Sequence, residues 1–176
     1  MKEIFLPTID AMNAEGRTFK GCLYYGLMIT PKGPKVIEYN CRFGDPETQV
    51  VLPLLESDLL EIMMACTNGT LAETEVRFSD KAACCVIMAS GGYPKSYKNG
   101  YEISVKDDVT AEVYFAGAKE ENGRLVTAGG RVLGVTAVAD TLAKAIEASY
   151  ENVKGIHFEN VHYRKDIGQK ALNAGK

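Results

Sequence analysis

The chain of 176 residues contains no tryptophan and only two histidines, His157 and His162. Neither has a serine, cysteine or metal-ligating partner at a telling spacing, so both are expected to be structural, and no nucleophile–base pair for covalent catalysis emerges. No stretch approaches the roughly 18 apolar residues that a membrane-spanning helix needs, and Lys2 is not followed by the apolar run of a signal peptide. Twenty Lys and Arg stand against 23 Asp and Glu, a net charge of −3, with no dense basic run and no basic–aromatic interleaving. Nucleic acid and membrane surfaces are therefore not expected as partners, and an anionic ligand must be held by a few local donors. The cysteines are five, Cys22, Cys41, Cys66, Cys84 and Cys85. An odd set without Cys-x-x-Cys spacing argues against a disulfide framework or zinc site and for a reducing, cytoplasmic location. Cys84 and Cys85, vicinal in an apolar run, are expected to be inert.

What is present reads as a mixed α+β chain long enough to bury a core. Ile4, Phe5, Ile9 and Met12 mark a helix that stops near Asn13–Gly16. Residues 19–29 and 35–41 read as paired strands about the Pro31-Lys32-Gly33-Pro34 turn. Gly44-Asp45-Pro46 predicts a turn into a short helix, with Asp45 as N-cap and Pro46 at the first helical position, ended by Pro53. Asp58 and Glu61 form a capping-box pattern for a second helix closed by Asn68-Gly69, with Met63 and Met64, like Met88, expected as core fillers. A polar stretch at 70–81 predicts a domain boundary. Beyond it, strands are expected at 82–89, 102–105, 112–116, 125–127 and 131–138, then a helix over 141–153 capped by Asp140, and a short helix over 164–172.

The segment Glu38-Tyr39-Asn40-Cys41-Arg42-Phe43-Gly44-Asp45-Pro46-Glu47-Thr48-Gln49 concentrates the chemistry. Strict alternation along a strand places Val36, Glu38 and Asn40 on one face and Ile37, Tyr39 and Cys41 on the other. Glu38 and Asn40 then stand roughly 7 Å apart at the backbone. A carboxylate and an amide carbonyl are hard ligands of the kind Mg²⁺ accepts alongside substrate phosphates. Arg42 is expected to follow on the same face, one residue beyond, and suits phosphate oxygens. On spacing alone, a solvated strand face with a surface ion pair from Arg42 to Asp45 or Glu47 is the commoner arrangement.

The segment closely resembles the signature of the ATP-grasp ligases, and within them the glycinamide ribonucleotide synthetase (phosphoribosylamine–glycine ligase) family. The resemblance runs in family order through Phe19-Lys20-Gly21-Cys22-Leu23-Tyr24, Gly26-Leu27-Met28, the stretch from Pro34 to Gln49, Leu52-Pro53-Leu54-Leu55, Ser57-Asp58-Leu59, Gly91-Gly92-Tyr93-Pro94, Gly129-Gly130-Arg131-Val132-Leu133 and Tyr163-Arg164-Lys165-Asp166-Ile167-Gly168. It implies a ligase that joins glycine to 5-phosphoribosylamine at the expense of ATP in purine synthesis, with Glu38 and Asn40 holding Mg²⁺ or Mn²⁺. Glu38, Asn40 and Arg42 are thus the expected nucleotide-site residues, Arg42 and Asp45 the expected catalytic ones, and Glu47 helps organise the turn. The implied fold is part of an ATP-grasp subdomain, antiparallel strands plus helices, over 1–75, followed by a small β-rich C-terminal domain with a helix over 76–176. The family's leading domain, glycine-rich phosphate lid and adenine-contacting lysine have no counterpart here. The isolated chain is therefore expected to be silent without the N-terminal part of the same enzyme, whether it is an expressed fragment or one half of a split enzyme.

Other features carry less. The glycines at 91–92 and 129–134 fit neither a P-loop nor a dinucleotide fingerprint, so Gly129-Gly130 is expected to serve a tight turn or close approach. Arg131 facing a sugar phosphate is a minority reading, and Arg164, Lys165 and Asp166 are expected to form a local ion-pair cluster. Two alternatives stand beside the main reading: another ATP-grasp carboxylate–amine ligase with a different acceptor, and a non-catalytic β-rich binding domain.

Overall fold

The structure is a computed structural model and describes residues 2–174; the expected domain limits at residues 1 and 176 lie outside them. Two compact units are present. The first takes the described residues up to Asp45 together with Leu55–Phe78, and the second takes Pro46–Leu54 and the described residues from Ser79 onward.

The elements of the first 78 residues are α1 (Phe5–Ala14), β1 (Tyr24–Thr30), β2 (Gly33–Asn40), α2 (Thr48–Val51) and α3 (Leu59–Asn68), with 3-10 turns at Leu52–Leu54 and Leu71–Glu73. In the first unit, β1 and β2 form an antiparallel hairpin. One face of the hairpin packs on α1 through aromatic rings: Phe5 and Tyr25 lie 4.4 Å apart between centroids, Tyr25 and Tyr39 5.3 Å. β1 starts at Tyr24, five residues later than the apolar pattern predicts. The preceding segment crosses to the end of α3, where Lys20 Nζ donates to the Thr67 carbonyl at 3.1 Å. Asp58 caps α3 as expected, accepting from the Glu61 amide at 3.0 Å.

Three expectations fail at α2, α3 and the 3-10 turn between them. α2 begins at Thr48, with Glu47 rather than Asp45 at the N-cap and no side-chain cap bond; residues 45–47 are spent on the turn itself. Pro53 does not stop the chain's helical path but sits inside the 3-10 turn that continues it. Met63 and Met64 are about half exposed, and Leu60 one turn earlier is more exposed still. Only Ala65 of α3 is buried, so this helix offers the core a single narrow seam.

The second unit continues with β3 (Ala82–Ser90), β4 (Ser104–Val105), β5 (Glu112–Phe115), β6 (Ala118–Glu121), β7 (Arg124–Thr127), β8 (Arg131–Ala139), α4 (Leu142–Val153), β9 (Ile156–His157), β10 (Val161–His162) and α5 (Gln169–Ala174). Its main sheet runs β10-β3-β8-β5, every pair antiparallel. β3 and β8 are long, central and nearly continuous in apolar residues, because both sheet faces are covered. α4 lies on one face, and Val86, Met88, Leu133, Val135, Ile146, Val153, Ile156 and Phe158 close the core between them. Each such side chain contributes on the order of 1.5–3 kcal/mol by leaving water. Ser149, fully buried on α4, donates to the Cys84 carbonyl at 2.7 Å and accepts from the Ala137 amide at 3.2 Å. Burial raises the Cys84 thiol above its ordinary range, with the Ser149 bond opposing this. Thr141, not Asp140, caps α4 by accepting from the Lys144 amide. β6, β9 and β10 have no counterpart among the expected strands.

Candidate functional site

Glu38 and Asn40 stand on one face of the hairpin. Asn40 Nδ2 donates to Glu38 Oε1 at 3.1 Å, which leaves the amide oxygen Oδ1 and the second carboxylate oxygen as ligand atoms. Glu38 is exposed and Asn40 half-buried. The face is not reached by simple alternation. Gly26 pairs with Glu38 and Leu27 with Val36, so Ile37 is an extra residue in β2, a β-bulge. Val36 therefore does not accompany Glu38 and Asn40, as strict alternation predicts. It lines the apolar groove against α1 with Tyr39 and Cys41. The bulge turns Glu38 and Asn40 away from α1 and points Ile37 into solvent, 62% exposed.

Opposite Glu38, the sequence places Gly26. A Cβ there would meet Glu38 Cγ at 2.8 Å, so the Glu38 side chain lies across the strand in space that only glycine leaves clear. Composition gave this residue no role. Its signal is a glycine inside an otherwise regular strand, where it weakens the ladder unless something approaches closely.

Arg42 lies in the bend just past the end of β2 rather than on the strand face, exposed, with Nη1 donating to the Phe43 carbonyl at 3.0 Å. Asp45 is exposed in the following turn beside the buried Gly44. The structure thus joins Glu38 and Asn40 by a direct bond and sets Arg42 and Asp45 on the connection that leaves their strand. Glu47 and Thr48 belong to the second unit.

Farther along, Gly129-Gly130 makes a close approach rather than a positive-φ turn: a Cβ on Gly130 would overlap the Tyr93 ring. Arg131 opens β8, half-buried. Arg164 and Asp166 form a bidentate pair, Nε to Oδ1 at 2.9 Å and Nη2 to Oδ2 at 2.7 Å. The Arg164 hydrogen bonds hold the Asp166 carboxyl below the usual range, and Asp166 in turn raises Arg164. His157 and His162 are exposed on β9 and β10.

Among the described residues no three His, Cys, Asp or Glu side chains converge to hold a metal. A carboxylate and an amide oxygen side by side on one strand face nonetheless suit a hard divalent cation, whose remaining positions substrate phosphates and water fill.

Two family models match the chain: the phosphoribosylglycinamide synthetase ATP-grasp (A) domain over residues 1–48 and the phosphoribosylglycinamide synthetase C domain over residues 83–170. A bifunctional purine biosynthetic protein of Pichia angusta is 50% identical over 97% of this chain, which covers 22% of that protein. The phosphoribosylamine–glycine ligase of Caldanaerobacter subterraneus subsp. tengcongensis is 48% identical over 94% of the chain and 40% of its own length. A crystal structure of phosphoribosylamine–glycine ligase from Thermotoga maritima superposes with a TM-score of 0.84 at 35% identity, covering 94% of this chain and 41% of that one. The chain thus spans well under half the length of the relatives it matches. Half of its residues fall within the C-domain match and the hairpin that carries Glu38 and Asn40 falls within the ATP-grasp match, so the chain belongs to the phosphoribosylglycinamide synthetase family.

Proposed function

We propose that this chain carries the metal–nucleotide half of a phosphoribosylamine–glycine ligase and the domain that follows it. The reaction is ATP-dependent: phosphoryl transfer to the glycine carboxylate gives glycyl phosphate, and the amine of 5-phosphoribosylamine then displaces phosphate. The observation that carries the reading is the Asn40–Glu38 pair, two oxygen-bearing side chains bonded to each other on the hairpin face turned away from α1. Glu38 and Asn40 hold the cation, Mg²⁺ or Mn²⁺. The chemistry such an ion supplies when bound is neutralisation of charge on the transferring phosphoryl group. Asn40 orients the Glu38 carboxylate by its amide hydrogens and offers its oxygen to the ion. Arg42, released from the Phe43 carbonyl, stabilises phosphate or acyl-phosphate charge, and Asp45 with Glu47 shapes the turn that presents it.

Residues 1–75 act as the end of the ATP-grasp domain and 76–176 as the C-terminal domain. The remaining ATP-grasp elements are the partner that completes the clasp around ATP and keeps water from the acyl phosphate. The chain alone is catalytically silent, and its work is done in the cytoplasm. The test is paramagnetic broadening of the Glu38 and Asn40 side-chain NMR signals by Mn²⁺ with ATP, in the parent and in Glu38→Gln. Broadening that is lost in the variant is the expected result. Equal broadening in both removes the metal role of Glu38.

A further inference from the structure

We infer that Gly26 is a positioning residue for the Glu38 carboxylate, and that its lack of a side chain sets the direction in which Glu38 presents its oxygens. The inference rests on the reading of Glu38 and Asn40 as metal ligands and adds to it a residue that touches neither metal nor nucleotide.

Glycine inside a strand weakens it by roughly 0.5–1 kcal/mol relative to alanine through backbone entropy, and Gly26 lies within β1, paired with Glu38 of β2. Gly26 is not among the glycines with positive φ, so backbone conformation does not require it. What requires it lies across the ladder. A Cβ at position 26 would stand 2.8 Å from Glu38 Cγ, 3.7 Å from Cδ and 3.6 Å from Oε1. The carboxylate arm therefore rests directly over the Gly26 Cα, and in this posture Oε1 accepts from Asn40 Nδ2.

Two devices act together. The bulge at Ile37 chooses the face of the hairpin, and the clearance at Gly26 lets the arm lie flat along that face toward Asn40. Glu38 is exposed, so a methyl group at 26 meets a side chain with room to swing into solvent, not a packed wall. Alanine at 26 is thus expected to move Glu38 to another rotamer, break the bond to Asn40 and disperse the two ligand atoms, while the hairpin itself survives. A residue that matters only for folding would behave in the opposite way.

The experiment uses the 176-residue chain in four forms: parent, Gly26→Ala, Glu38→Ala and the double variant. The Asn40 side-chain amide shift reports the bond to Glu38 without metal, and the Mn²⁺ concentration that half-broadens Asn40, with ATP present, reports the site. Gly26→Ala is expected to move the Asn40 amide shift to that of Glu38→Ala. It is also expected to raise the half-broadening concentration by about tenfold or more, the usual scale for loss of a group that orients a ligand. The thermal midpoint stays the same or rises slightly, and in the Glu38→Ala background the Gly26→Ala change adds nothing further. If Glu38→Ala leaves the Mn²⁺ broadening of Asn40 intact, the metal reading falls and the inference with it. If Glu38→Ala abolishes broadening and Gly26→Ala leaves the half-broadening concentration at the parent value, the metal reading stands and Gly26 has no positioning role. Should Gly26→Ala unfold the hairpin, the double variant decides. Refolding when the Glu38 arm is removed supports the contact, and failure to refold overturns it.

Discussion

The bond from Asn40 Nδ2 to Glu38 Oε1 makes the two side chains one device. Replacing the amide by a carboxylate removes the donor and sets two like charges where one was bonded. Asn40→Asp is therefore expected to drive the Glu38 carboxylate away from position 40, and a change in the ¹³C shift of the Glu38 carboxyl at neutral pH reads this directly. At the other end of the chain, the Arg164–Asp166 pair gives a pH dependence of defined sign. The folded carboxyl of Asp166 is held low, so its contribution is fully present above the unfolded value of about 3.9. It is lost as the pH falls through the lowered folded value. Asp166→Asn should differ most from the parent near neutral pH and converge with it in acid, as followed by denaturant melts across that range. Both residues of the pair are exposed, so the difference at neutral pH is small.

Elements show which sequence signals were sufficient. β3, β8 and α4 were legible because long apolar runs and a 3.6-residue spacing rarely arise in any other setting. α3 was legible at its ends, where Asp58 precedes Glu61 by three residues, and Asp58→Ala should cost about 1 kcal/mol by chemical denaturation. Its middle was not. The same apolar pattern that predicts a buried Met63 and Met64 is satisfied by a helix that buries only Ala65 among the described residues. β6 escaped notice because Ala118–Glu121 is mostly charged, and β9 and β10 because two residues each, outside any longer apolar run, show no periodicity. Asp140 and Thr141 are both good caps, and only geometry tells them apart. Where α4 meets the sheet, Ser149→Ala would remove the hydroxyl that bonds both the Ala137 amide and the Cys84 carbonyl, two residues paired in the β3–β8 ladder. The expected loss is about 0.5–1.5 kcal/mol in equilibrium unfolding, the usual net worth of a hydrogen bond.

For the molecule as a whole, burial is divided unequally. Every hydrophobic residue described as buried lies in the second unit except Ala65. Native-state amide exchange should therefore be slowest along β3 and β8 and in the buried turns of α4, and faster by orders of magnitude in the β1–β2 hairpin; uniform protection across both would contradict this. The candidate site was legible in its residue types, because a carboxylate and an amide two apart are visible in any strand. Its geometry was not, because pairing partners such as Gly26 opposite Glu38 are long-range facts. Strict alternation assigned Val36 to the wrong side for the same reason: a single unpaired residue is invisible until the register of the opposite strand is known.

That unpaired residue acts as a phase shifter. Upstream of Ile37 the odd and even positions of β2 mean one thing, and downstream they mean the reverse, so the strand serves α1 with Val36 and then again with Tyr39, three positions on. A deletion of Ile37 alone would heal the ladder and keep both Val36 and Glu38 on their present sides. Removing Lys35 instead would also close the ladder one-to-one, but would set Ile37 opposite Leu27 and Val36 opposite Met28, turning Val36 away from α1. The position of a deletion in this strand therefore decides which apolar side chain α1 receives.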